Sequence, residues 1–242
     1  MENELTRPAA KAAFIKALAP LLEARGFRAQ EAGRGLHQFV HESAGGARYT
    51  LQGSFTRSGD FQPALFVHFP EVTAFLRTLD AIYVDRQDPP VFTSHLSDFL
   101  DAANADGYRH NAGPYPAFPL GAACTEAVLE EVAARFATTH LDTALATIME
   151  RADSLERAEH LLNVEYPVKL PRYRFSGGQE WEVSVLTPGV PVHLTMGLVL
   201  AHLLQRPYVA RLRDAAGQYL RRERRSDNPL IELLKLAHAA TA

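Results

Sequence analysis

The sequence predicts an α+β fold: an N-terminal helix packed on an antiparallel β-meander, followed by a mainly helical C-terminal half with one hairpin. Three features carry that prediction. Phe14, Leu18, Leu21 and Leu22 recur at i, i+4, i+7 and i+8, one face of a helix. After Gly26 the period falls to two, with Tyr49, Leu51, Gly53 and Phe55 alternating with Arg48, Thr50, Gln52 and Ser54. From Thr125 onward helical spacing returns and dominates the rest of the chain.

Thr6 offers a capping hydroxyl for the first helix, and Pro8 sits in the first turn, where no N–H is missed. Gly26 tolerates the left-handed backbone that closes helices. Pro20 is discordant, because its ring crowds the carbonyl four residues back, and it predicts a bend or split near Lys16. Three strands follow: Leu36 to Glu42, the alternating run ending at Phe55, and a third marked by Leu65, Val67 and Phe69. Ser43-Ala44-Gly45-Gly46 and Arg57-Ser58-Gly59-Asp60 join them, short and glycine-bearing as hairpins require.

Beyond Pro70, Val72, Phe75, Leu76 and Leu79 space as a short helix, and Ala81 to Val84 reads as an edge strand. A capped helix is expected to start at Thr93 or Ser94, bury Leu96, Phe99, Leu100 and Ala103, and end at Gly107. The prolines from Gly113 to Gly121 favour an extended arm lying over the core, anchored by Tyr115 and Phe118. Thr125 to about Arg151 is one long helical pattern whose phase slips near Thr138-Thr139. Asp153 and Glu156 resemble a capping box opening a helix with Leu155, Ala158, Leu161 and Leu162 inward. Tyr166 to Leu186 is strand-like around a turn at Phe175 to Gln179. Helices from Pro191 to Gln205, from Pro207 to about Arg225 and from Pro229 onward complete the chain. The organisation expected is a helix-plus-sheet unit over 1–112, a Pro-rich arm or linker over 113–123, and a mainly helical unit over 124–242, packed on the first.

The chain of 242 residues can bury a substantial core, and its 47% apolar and 22% charged residues are ordinary for a globular protein. The lone Cys124 excludes an intrachain disulfide and fits a reducing compartment. The opening Met1 to Thr6 has no apolar run of signal-peptide length, and the apolar run around Leu194 to Leu204 is too short to span a bilayer. A cytoplasmic protein without a membrane segment is expected. Charge is uneven: nine acids face three arginines from Cys124 to Glu165, and eleven basic residues face six acids from Tyr166 on. Such runs mostly form solvated faces, and the rest serve charged partners.

No complete catalytic or metal motif is present. His37 and His41 have the i, i+4 spacing of a helical metal site, but on a strand they stand roughly 13 Å apart, too far to share an ion. No metal ligand and no cofactor is assigned. Cys124 stands at a helix threshold, where a thiol pKa can fall, but nothing places His110 or His140 beside it. The polar strand face offers a pocket for a small substrate, formed by Arg48, Thr50 and Gln52 with His37 or His68 and covered by Tyr115. Glu150, Asp153, Glu156 and Glu159 line an acidic helical stretch suited to a basic protein partner. Arg221, Arg222, Arg224 and Arg225 form the best phosphate-binding patch, although the net charge of −3 and the lack of interleaved aromatics count against nucleic acid.

The run from Phe14 to Phe27, with Leu18-Ala19-Pro20-Leu21-Leu22 and then Gly26-Phe27 ahead of a strand meander, resembles the opening of the DUF4304-type domains. These are small bacterial α+β proteins of largely unassigned biochemistry. The helix from Ser154 to Leu162, after a long acidic helix, is similar to their later part, so the resemblance spans Lys11 to Asn163. It transfers no catalytic motif, but some members occur beside bacterial toxins and are taken to be immunity proteins. The reading that follows is a non-enzymatic bacterial binding protein whose acidic stretch captures a basic toxin domain. The alternatives are a small-molecule enzyme with its pocket on the polar strand face, and nucleic-acid binding through the arginine patch.

Overall fold

The computed structural model describes residues 4–241 apart from 33–35, 56, 58, 81–88, 97–119, 121–124, 168, 174–178, 183–185, 188 and 224–227. Its class is α+β, as the sequence predicts. Helix α1 (Arg7–Glu23) leads into strands β1 (Arg28–Ala32), β2 (Leu36–Glu42), β3 (Arg48–Phe55), β4 (Phe61–His68) and β5 (Phe92–His95), and the five strands are hydrogen-bonded in chain order. Between β4 and β5 lies α2 (Pro70–Leu79). The described chain divides into two compact units of interleaved segments. Met1–Ser43, Arg48–Phe66 and Ser94–Glu150 form the first, and Ala44–Ala47, Val67–Thr93 and Arg151–Ala242 form the second.

In the first unit α1 runs unbroken through Pro20. Pro20 sits in the last turn, so the ladder loses one N–H there while the Pro20 carbonyl still accepts from Ala24 N at 3.0 Å. Thr6 occupies the cap position in extended geometry, but its hydroxyl makes no cap hydrogen bond. Gly26, at φ +81°, closes the helix, and Phe27 N–H donates to Leu22 O at 3.1 Å. Strand β1 was not among the three strands expected, because Arg28-Ala29-Gln30-Glu31-Ala32 carries no apolar alternation. Its pairing with β2 makes it a strand, in the register Arg28 opposite Val40 and Gln30 opposite Gln38.

The β2–β3 register sets His37 opposite Gly53, Phe39 opposite Leu51, and His41 opposite Tyr49, all on one face. On that face Phe39, Tyr49 and Leu51 are buried with Phe14, Leu18 and Leu22 of α1. The Phe14, Phe61 and Phe136 rings meet at its centre, with centroids 5.0 Å (Phe14–Phe61) and 5.5 Å (Phe61–Phe136) apart. Phe136 ends helix α3 (Glu126–Phe136), which Thr125 caps by accepting from Val128 N at 3.4 Å. The slip expected near Thr138-Thr139 is a π-helical stretch from Ala137 to Leu145, after which α4 (Ala146–Arg151) continues. Thr138 and Thr139 hydroxyls both donate to Arg135 O, at 3.0 and 2.7 Å, and draw that carbonyl away from the regular ladder.

The second unit is mainly helical. Helix α5 (Leu155–His160) runs into a π turn, Leu161–Glu165, and its cap is Ser154, accepting from Arg157 N at 3.3 Å. Asp153 therefore does not cap this helix, as the sequence pattern suggested. It pairs instead with Arg157 at 3.4 Å. Strands β6 (Lys169–Tyr173) and β7 (Gln179–Glu182) form the expected hairpin. Helices α6 (Val190–Leu203), α7 (Val209–Arg222) and α8 (Pro229–Ala240) follow. Helix α6 is buried on every side from Pro191 to Ala201, the mark of a central helix, and α2, α5, α7 and α8 pack around it. At 92–95 the chain forms β5 where a helix start was expected, and Thr93 N–H donates to Leu186 O at 2.8 Å. The edge strand expected at Ala81 to Val84 and the Pro-rich arm with Tyr115 and Phe118 lie outside the described residues.

The first unit's core has little slack. A Cβ built on Gly53 would stand 2.3 Å from the Phe61 ring, which Phe14 and Phe136 hold in place. Gly53→Ala is expected to cost about 1–3 kcal/mol through overpacking, read as a lower denaturant midpoint at unchanged slope.

Candidate functional site

The structure disperses the residues that the sequence suggested. Arg48, Thr50 and Gln52 share the even-numbered face of β3, with Arg48 opposite Glu42 and Thr50 opposite Val40. His37 points to the other face, opposite Gly53, because the strand period places odd and even residues on opposite sides. Its ring meets the Phe55 ring edge-on at 6.3 Å, so it does not join the polar trio. His41 shares that odd face, 3.1 Å from Gly26 O through Nδ1 and 5.3 Å from the Phe27 ring. His68 ends β4 and belongs to the second unit. Tyr115 and Cys124 lie outside the described residues, as do Arg224 and Arg225. Arg221 and Arg222 are exposed in the last turn of α7, and Arg222 is 4.0 Å from Glu223. Among the described residues no group of three or more His, Cys, Asp and Glu side chains could hold a metal ion, and no helix is long and apolar enough to cross a membrane.

The acidic stretch divides in the same way. Glu150 and Glu156 are exposed, while Glu159 is 1% exposed. The sequence reading placed Glu159 on a partner-binding surface, and its burial overturns that. Position 159 follows Leu155 by four residues and precedes Leu162 by three, so it lies within the apolar stripe of α5. The burial is balanced by three donors: Arg206 Nε at 3.0 Å, Asn163 Nδ2 at 2.9 Å, and the Tyr208 hydroxyl. Burial, the hydrogen bond to Glu159 and its negative charge together push the Tyr208 phenol up to about 12.

Beside this cluster, within the second unit, is a cavity of about 470 Å³. Its walls are largely apolar, with Pro167, Leu194, Leu212 and Ala215, and α7 brings Arg211, Asp214 and Gln218 to the mouth. Those three follow helical spacing on one face of α7, and all are exposed. Asn163, His193 and Gly197 form the inner part, and both polar side chains are buried, at 3% and 2% exposure.

The orientation of the Asn163 amide follows from its neighbours. Its nitrogen faces two acceptors, Glu159 Oε1 at 2.9 Å and Gly197 O at 3.0 Å, and both amide hydrogens are committed to them. Oδ1 has no hydrogen-bond partner among the described residues. It lies where a Cβ on residue 197 would come within 2.4 Å, so glycine at that position of α6 makes room for it. His193 is fixed as well. Nε2–H donates to Leu162 O at 3.2 Å, so Nδ1 is left to accept from the Thr187 hydroxyl at 3.4 Å. Burial lowers its pKa to about 4, and the ring is neutral at pH 7. No serine, threonine or cysteine lines the cavity, so its polar groups are equipped to bind and orient. Sequence reasoning missed this site, although Glu159 and Asn163, four apart in an apolar stripe, were the visible clue.

A second cavity of about 300 Å³ lies in the first unit between α1 and α3, lined by Ala13, Lys16, Ala17, Pro20 and Leu21 opposite Glu126, Glu130 and Ala134. Its residues are mostly small or exposed, and no buried polar side chain serves it.

Two outcomes test this geometry. Glu159→Gln is expected to lower stability by about 2–3 kcal/mol by weakening charge-assisted hydrogen bonds, whereas Glu156→Lys on the exposed face shifts it by less than about 0.5 kcal/mol in chemical denaturation. His193 binds a proton more weakly folded than unfolded, so its contribution is intact above pH 6.5 and declines as pH falls toward 4. The loss across that window is about 3 kcal/mol, and His193→Gln should flatten that part of the stability–pH curve relative to the unchanged protein.

No family model, no curated protein and no solved structure matches the chain. The likeness to the DUF4304-type domains accordingly rests on the residues quoted for it.

Proposed function

We propose that the protein is a non-enzymatic binding protein that takes a small organic molecule into the cavity between α6 and α7 of its second unit. The observation that carries this reading is Asn163 Oδ1, a buried acceptor oriented by Glu159 and left without a protein partner at the cavity wall. An unpaired acceptor in an apolar setting costs about 1–3 kcal/mol, and a ligand donor removes that cost. The volume suits a metabolite, since about 470 Å³ corresponds to roughly fifteen waters at about 30 Å³ each. Apolar walls with a few placed polar groups are the usual make-up of such sites.

Capture of a basic toxin domain through Glu150, Asp153, Glu156 and Glu159 has less support in this arrangement, since Glu159 is enclosed and Asp153 faces Arg157. A charge reversal at 159 would report on folding rather than on electrostatic steering.

A thermal-shift screen of a metabolite library against the protein and its Gln218→Trp variant tests the cavity reading. Residue 218 is exposed at the mouth, so the bulkier ring narrows the entrance without entering the core. Compounds that raise the melting temperature in proportion to the logarithm of their concentration, and lose that effect in Gln218→Trp, are the expected result. Stabilisation that persists equally in the variant would place binding elsewhere.

A further inference from the structure

Resting on that reading, we infer that the cavity selects small amphipathic monoanions: molecules with a neutral O–H or N–H donor at one end, an apolar body, and one carboxylate at the other. Three features define the class.

The inner end is specified by Asn163. Its amide cannot rotate to offer N–H, because both amide hydrogens are held by Glu159 Oε1 and Gly197 O, and neither of those atoms can donate in return. The cavity therefore meets an acceptor there and nothing else from this side chain. His193 does not compete for the ligand donor, since its ring nitrogens are engaged with Leu162 O and Thr187. A hydroxyl or ring N–H fits this end. A carboxylate does not, because it would bring lone pair against lone pair with the Glu159 charge just behind.

The body is specified by Leu194, Leu212, Ala215 and Pro167, which form a passage with no polar side chain to satisfy. The outer end is specified by Arg211. Its guanidinium lies over the Tyr208 ring at 5.9 Å, and among the described residues it forms no ion pair. Tyr208 is itself fastened to Glu159, so the carboxylate that orients the inner acceptor also steadies the platform under the outer cation. Asp214, one turn along α7 at the same mouth, opposes a second negative charge on the ligand.

The probes are para-hydroxyphenylpropanoate, which has all three features, phenylpropanoate, which lacks only the donor, and para-hydroxyphenylpropanol, which lacks only the charge. Binding is measured by isothermal titration calorimetry with the full chain. The unchanged protein is expected to bind the hydroxylated acid about tenfold more tightly than phenylpropanoate, the net worth of one buried hydrogen bond. Arg211→Gln, on an exposed residue, should weaken both acids about fivefold, keep their ratio, and leave the alcohol unchanged. Asn163→Leu should abolish the preference for the hydroxyl.

Equal affinity for the two acids in the unchanged protein overturns the inference, whether or not Asn163→Leu folds. So does an undiminished hydroxyl preference in Asn163→Leu, or an Arg211→Gln effect on the alcohol equal to that on the acids. Failure of all three probes to bind at millimolar concentration overturns it too. In that case the library compounds blocked by Gln218→Trp show whether the cavity still binds another class of molecule, which separates the failure of this inference from failure of the binding reading.

Discussion

Enclosing a carboxylate sets terms for everything around it. Glu159 can stay 1% exposed only if donors replace its water, and the chain supplies them from three places. Asn163 comes from the π turn, Arg206 from the link after α6, and Tyr208 from the residue that starts α7. Each attachment fixes more than itself. Arg206 and Tyr208 hold the α6–α7 link in place, and with it the starting phase of α7 that brings Arg211, Asp214 and Gln218 to one mouth. Asn163 receives an orientation it could not choose alone. The cavity's chemistry is thus set by an ion pair that forms no part of its lining.

The helix beneath that cavity is apolar almost all round, so its exceptions have meaning. Thr195 returns its hydroxyl to Pro191 O at 2.7 Å and is satisfied within the helix. His193 finds partners at both ring nitrogens. Gly197 is unfavourable in a helix interior by about 1 kcal/mol relative to alanine, and the close approach of Asn163 Oδ1 accounts for its presence. Each departure from an all-apolar helix lies on the side facing the π turn or the cavity.

Where local spacing decided the outcome, the sequence could be read. The α1 stripe, the β2–β3 alternation, the Ser/Thr-bearing slip in the long helix and the late hairpin were all visible in runs of a few residues. Where tertiary pairing decided it, the sequence was silent. Strand β1 has no alternation of its own and exists through its register with β2. Extended pairing replaced a helix start at Thr93. The acidic stretch misled because a glutamate inside an apolar stripe looks, by composition, like its exposed neighbours Glu150 and Glu156. The cavity could not be anticipated, since it joins Asn163, His193 and Arg211, and no periodicity spans such separations.

The π-helical stretch has a consequence for chain length. An α-helix advances about 100° per residue, so a one-residue deletion between Ala137 and Leu145 could restore regular geometry only by rotating everything after it by about that angle. Ile148, now 1% exposed, would turn out of the core, and the Met149 carbonyl would leave the Tyr49 hydroxyl that donates to it at 3.2 Å. The widened turns therefore act as a length gauge, in which the number of residues matters more than their identity. Substitutions at exposed positions there should be tolerated during divergence far better than insertions or deletions, and descendants of this chain should keep the count while the letters drift.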